Sequence, residues 1–324
     1  MAQTSSPGLR TVAAALGLAA FVVAAGARAA EPTVVTGADG GKVAIKDTSR
    51  VVAIGGAVTE IVYALKAEKR LVAVDTTSQH PPSALKTLPN VGYMRQLSAE
   101  GILSLRPTLV LAMEDSGPSS QVKLLRAAGV PLVLVPKDPT PRGVVDKFRL
   151  IGAALGQGAE AARLAAAFER DMAALSRAVK AAKRRPRVLF VLSIGRGAPL
   201  AAGGGTAAEG VIRLAGGVNA IAGYDLYKPI TPEGAVRARP DVILVTRRTA
   251  QMMGGPAKIL ARPDLRNTPA GRAKRLVAMD GLFLLGFGPR TPAAVRELAS
   301  RLHPGLALPK IETAEARRAP RPAQ

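Results

Sequence analysis

Two segments of this chain repeat one another at a constant offset, and that repeat restricts the possible folds more than any other feature. QLSAEGILSLRPTLVLA (96–112) and PITPEGAVRARPDVILV (229–245) align so that Ser98 matches Thr231, Glu100 matches Glu233, Gly101 matches Gly234 and Arg106-Pro107 matches Arg239-Pro240. Each reads as a short helix start that runs on into an apolar strand. A looser pair, TEIVYALKAEKRLVAVD (59–75) and AEGVIRLAGGVNAIAGYD (208–225), repeats a helix followed by a strand ending in Asp. Internal repetition of this kind predicts two lobes of one architecture.

Within each half, short apolar runs alternate with helical patterns. RVVAIGG, RLVAVD, PTLVLA and PLVLVP are the strands of the first; RVLFVLS, PDVILV and RLVAMDG are those of the second. Continuous apolar strands separated by helices imply parallel sheets covered on both faces. The predicted fold class is therefore α/β, two similar Rossmann-like lobes with parallel sheets joined by one long backbone helix. Ala159 to Arg184 carries that helix, rich in Ala, Leu, Glu, Lys and Arg with apolar residues at helical spacing. At 1.5 Å per residue, some 26 residues span roughly 39 Å, enough for a strut between lobes. The expected organisation is a leader over 1–29, an N-terminal lobe over 30–145, the connecting helix over 146–185, a C-terminal lobe over 186–304 and a disordered Pro/Ala/Arg-rich tail over 305–324.

The leader has Arg10, the apolar run TVAAALGLAAFVVAAG and Ala27-Arg28-Ala29 at the cleavage positions, the pattern of a cleavable export signal. The chain has no cysteine, which excludes thiolate metal sites, thiol nucleophiles, iron–sulfur clusters and lipoprotein acylation. Net charge is +22, yet Lys and Arg are scattered, and the one dense cluster, AAKRRPR (181–187), falls at a helix end. With no aromatic-basic interleaving to stack bases, nucleic acid is excluded as a partner. A basic surface instead suits an anionic small ligand or an anionic membrane face. GAPLAAGGGTAAEG lacks the Lys-Ser/Thr of a phosphate loop. There Thr206 and Glu209 form a capping box.

The chain has only four tyrosines, and one of them, Tyr93, sits in NVGYMRQLSAEG beside Arg95. Residues i and i+2 of an extended loop point to the same side, and Gly92 gives the loop freedom. From spacing alone, a half-buried core tyrosine beside a solvated arginine is the better reading. Leader, twin α/β lobes and a long connector together resemble the periplasmic substrate-binding proteins of ABC importers, in the helical-backbone class that serves haem, cobalamin and ferric siderophores. NVGYMRQLSAEGILSLRPTLVL is similar to the haem-importer members, and AAGGGTAAEGVIRLAGGVNA and LGFGPRTPAAVRELA resemble their second-lobe signatures.

The resemblance implies a periplasmic monomer, not a lipoprotein, that captures ferric haem and delivers it to an inner-membrane ABC permease with its ATPase. It implies Tyr93 as axial ligand of the haem iron, with Arg95 favouring the phenolate; ferric iron is hard and suits an anionic oxygen. Arg196 is the expected propionate partner. The second lobe proper has no histidine of the kind some members use for a second, stacked haem, and Tyr224 and Tyr227 either replace it or pack over the macrocycle. Glu100 and Glu233, one per lobe, are the expected docking acids for permease arginines, in addition to their place in the first turn of a helix. Of the two histidines, His80 approaches the cleft from the first lobe and His303 is structural. Met252 and Met253 are further candidates for the porphyrin face. The alternative cargo on the same fold is a corrinoid or a ferric siderophore. No acid pair or histidine pair faces one cleft, so no enzyme is expected.

Overall fold

The computed structural model describes residues 1–3, 31–193 and 198–312. The expected leader and Arg196 lie outside the described residues. The described residues from Pro32 on form one compact unit that holds both lobes. It opens with an antiparallel hairpin, β1 (Thr33–Thr36) and β2 (Lys42–Ile45), turned by ADGG. The Ala38 N–H at that turn donates to the Leu134 carbonyl at 2.8 Å, which docks the hairpin on the first lobe.

The first sheet contains β3 (Val51–Ile54), β4 (Leu71–Val74), β5 (Leu109–Met113) and β6 (Leu132–Val135) in the order β4-β3-β5-β6, all parallel. Every residue of β3, β5 and β6 is buried, as expected of strands covered on both faces. The second sheet contains β7 (Arg187–Ser193), β8 (Leu200–Ala202), β9 (Val218–Asn219), β10 (Tyr227–Pro229), β11 (Val242–Thr246) and β12 (Leu276–Met279). Its parallel part, β9-β7-β11-β12, reproduces the first lobe's order.

The expectation of parallel sheets fails at one edge. β8 runs antiparallel to the carboxyl half of β7, and β10 antiparallel to β8, so the second sheet is mixed. LAA and YKP are three-residue strands between Gly- and Pro-rich turns. Neither is long enough to show a period in the sequence.

The repeat is literal in three dimensions. Ser98 Oγ accepts from Gly101 N at 3.2 Å, and Thr231 Oγ1 accepts from Gly234 N at 3.1 Å, so both short helices have the same hydroxyl cap. Arg106 and Arg239, each before a proline, both take the left-handed conformation, at φ 48° and 45°. The Thr206 cap also forms, its Oγ1 accepting from Glu209 N, but Glu209 Oε2 accepts from Gly205 N, one residue before the N–H that a capping box uses.

The connector is two helices. Pro141–Ala154 stops at Gly156, whose φ is 66°, and Gly158–Lys180 then runs 23 residues, about 34 Å. It ends at Lys180, with its C-cap at Ala181, before the expected Arg184. The tail also differs from expectation. Leu308 and Ile311 pack on the core, and Arg296 Nε donates to the Pro309 carbonyl at 2.8 Å, so order extends past Gly305 to Glu312.

The lobes meet through buried contacts. Helix Gly56–Ala64 is buried along nearly its whole length. A side chain at Gly56 would collide with Leu282 of the second lobe. Glu60, 5% exposed, accepts from Arg290 Nε at 3.1 Å and NH2 at 2.6 Å. Lys147, 1% exposed on Pro141–Ala154, donates to the Phe287 carbonyl at 3.0 Å; Phe287 itself is left-handed, at φ 48°. One apolar core, from Val51 through Phe148 and Phe168 to Val295, runs through both lobes.

Candidate functional site

Ligands of open parallel sheets bind beyond the carboxyl ends of the strands. In the first lobe that edge holds the loop that includes Tyr93. Gly92 has φ 90°, with open space where a Cβ would stand, so glycine serves conformation here and not close approach. The Thr76 N–H donates to the Gly92 carbonyl, Leu97 N to Gly117 O, and Gly117 N to Met94 O. The loop is thereby tied on one side to the segment after β4 and on the other to the segment after β5. Met94 and Leu97 turn into the core, and Tyr93 and Arg95 face outward together.

These two side chains are in direct contact. Arg95 NH1 donates to Tyr93 Oη at 2.7 Å. Arg95 NH2 reaches Asp115 Oδ2 at 2.5 Å, two residues past the end of β5. Burial opposes the Arg95 charge, but the bonds to Asp115 and Tyr93 outweigh it and raise its pKa. The phenol of Tyr93 is 37% exposed. Its oxygen therefore receives a hydrogen bond from a fixed cation while remaining open to an incoming group. That arrangement suits an electrophilic centre such as a metal ion.

Behind this row is a feature that sequence reasoning missed. Lys147 feels the carboxylates of Asp138, Glu114 and Asp115, yet burial dominates and lowers its pKa to about 8. An acid placed directly after a buried strand was the available signal. Glu114, Asp115 and Asp138, each just past a first-lobe strand, are the carboxylates around this one buried lysine.

The second lobe contributes different chemistry. Tyr227 stacks edge-on to Phe190 of β7 at 6.4 Å between ring centres. Burial raises its pKa, with the Arg95 charge pulling the other way, which brings this tyrosine within electrostatic reach of the first-lobe site. Burial also raises the Tyr224 pKa; its hydroxyl faces the Ala201 and Lys228 carbonyls at 3.4 and 3.5 Å, and Lys228 Nζ lies over its ring at 5.3 Å. Burial thus favours the neutral phenol in both tyrosines.

The remaining candidates are dispersed. Glu100 and Glu233 are exposed in the first turns of their matched helices. His303 follows the last helix with Nε2 3.2 Å from the Ala215 carbonyl, a structural position. Met252 is 75% exposed, whereas Met253 packs on the second-lobe core.

Two α/β lobes with a fixed, charged tyrosine site at the strand ends of one and a tyrosine-bearing edge on the other define a two-lobed ligand-binding protein. The chain belongs to the periplasmic binding protein family, whose model matches residues 51–281. Among solved structures it is similar to the periplasmic heme-binding protein BhuT in complex with two hemes: 44% identity, TM-score 0.76, covering 80% of this chain and 99% of that one. It is also similar to a periplasmic heme-binding protein from Pseudomonas aeruginosa at 34% identity and TM-score 0.75, covering 81% and 95%. The cobalamin-binding protein of Halobacterium salinarum is 28% identical over 79% of this chain and 70% of its own length.

Proposed function

We propose that this protein captures ferric haem at the Tyr93–Arg95–Asp115 row and hands it to an inner-membrane ABC importer. The observation that carries the reading is the 2.7 Å bond from Arg95 to the exposed Tyr93 phenol, with Asp115 holding the guanidinium in place. Haem is a flat apolar macrocycle with an iron that takes an axial ligand and two carboxylates. Tyr93 supplies the oxygen. Tyr227 and Tyr224 give the macrocycle aromatic and apolar surface without competing for the iron, because both are held neutral. Arg196 is the proposed propionate partner.

The identities of 44% and 34% to proteins described as heme-binding support this cargo. The cobalamin-binding relative makes a corrinoid the second reading. Equilibrium competition separates them: haemin should bind and remain bound under excess cyanocobalamin. Displacement by cyanocobalamin would reverse the assignment. Glu100 and Glu233 are the proposed permease contacts, since the repeat sets one exposed acid on each lobe at the same helix position. Glu100→Ala with Glu233→Ala should leave haemin binding intact and abolish stimulation of the importer's ATPase. Undiminished stimulation would remove them from the docking surface.

A further inference from the structure

The one dense basic cluster of the sequence has no part in the ligand site. Lys183, Arg184 and Arg185 line a pocket of about 670 Å³, joined by Arg275 from the segment just before β12. The pocket lies at the amino ends of β7, β11 and β12, the opposite end of the second sheet from the strand ends used for ligand. All four side chains are exposed, and among the described residues none forms an ion pair or side-chain hydrogen bond. The single carboxylate in the lining, Asp241, is already engaged by the Arg187 backbone N–H at 2.8 Å.

Helix capping does not account for this cluster. The last turn of Gly158–Lys180 has its own cations, Arg177 and Lys180, and the helix is capped at Ala181. Lys183 to Arg185 lie beyond that cap, and Arg275 belongs to another segment altogether. The crowding is felt inside the pocket: burial first, and then the Arg185 charge, lower the pKa of His303 on its wall. Three guanidiniums and an ammonium around one concavity repel each other until an anion enters.

We infer that this pocket is a binding site for a phosphate group, distinct from the haem site. A guanidinium fork matches two phosphate oxygens at once, and a multiply charged phosphate uses several forks where a carboxylate uses one. The same chemistry is offered by a free phosphate and by an anionic phospholipid headgroup.

The test is calorimetric titration of the full chain with inorganic pyrophosphate at physiological salt. Arg185→Gln with Arg275→Gln is compared against Arg170→Gln with Lys123→Gln, which removes equal charge from exposed positions elsewhere. One saturable site is expected, weakened about tenfold or more in the pocket pair and unchanged in the control pair. Arg184→Gln alone should weaken it about threefold, from a side chain that holds no protein group. Non-saturable uptake, or equal loss in both pairs, would overturn the site and leave only the chain's overall charge. Vesicles of phosphatidylglycerol in phosphatidylcholine identify the source. Capture that pyrophosphate reverses assigns the site to the lipid headgroup, and pyrophosphate binding without capture assigns it to a soluble phosphate. Haemin binding should be the same in all variants, so failure here is separate from failure of the proposed cargo.

Discussion

The two lobes share a strand order, a hydroxyl-capped helix with an exposed acid, and a left-handed arginine before proline. They differ in what their strand ends present. The first lobe presents a carboxylate, a guanidinium and a phenol in a bonded row. The second presents two neutral tyrosines on an antiparallel edge that the first lobe lacks. The scaffold is common to both lobes, whereas the charged row and the antiparallel edge are each found in one lobe only. The staples between them, Glu60–Arg290 and Lys147–Phe287, are likewise absent from the repeat. They hold two similar halves in one asymmetric arrangement around a continuous core, which implies small lobe movements on binding.

The largest effect is expected where that arrangement is held. Glu60→Ala leaves the Arg290 guanidinium buried without its partner and should destabilise the protein by about 3 kcal/mol in urea unfolding. A loss near zero would mean the lobes are held by apolar contact alone.

Lys147 sharpens the same point through pH. Its pKa is lowered to about 8 from 10.5, so between these values the unfolded chain binds more proton than the folded one and stability rises with pH. Below that window the full cost of burying the charge is present. Wild type should gain about 2 kcal/mol relative to Lys147→Met between about pH 8 and pH 9.5. A pH-independent difference would contradict the burial of this ammonium.

At the site, Asp115→Asn removes the anchor of Arg95 while keeping the shape. Haemin affinity should fall about tenfold, the usual consequence of losing a group that orients a metal ligand. An unchanged affinity would show that Arg95 is held without Asp115. Least affected should be Tyr227→Phe, which keeps the ring and loses a hydroxyl that does not ionise. A change of less than about threefold is expected. A larger loss would give the second lobe a ligating role and erase the contrast between the lobes.

Much of this was legible in the sequence because a repeat reveals local choices twice. Ser98 and Thr231 as caps, the Arg-Pro pairs, the buried parallel strands and the outward pairing of Tyr93 with Arg95 all follow from short-range pattern. Asp115, Glu60, Lys147 and Arg290 were not legible, since each has its meaning from a partner far along the chain. Glu60 and Arg290 stand 230 positions apart, and Lys147 and Phe287 stand 140 apart. Strands β8 and β10 were too short to show a period. The helix end at Lys180 was not legible either, because the composition of KAAKRR favours helix straight through it.

We propose that, of Tyr93, Tyr224 and Tyr227, Tyr93 alone ligates the iron. Haemin titration followed by visible absorption, in wild type and Tyr93→Phe, tests it directly. Wild type should saturate with a phenolate-to-ferric charge-transfer band, and the variant should lose the band and bind on the order of a hundredfold more weakly. A variant that keeps both the band and the affinity would contradict the account.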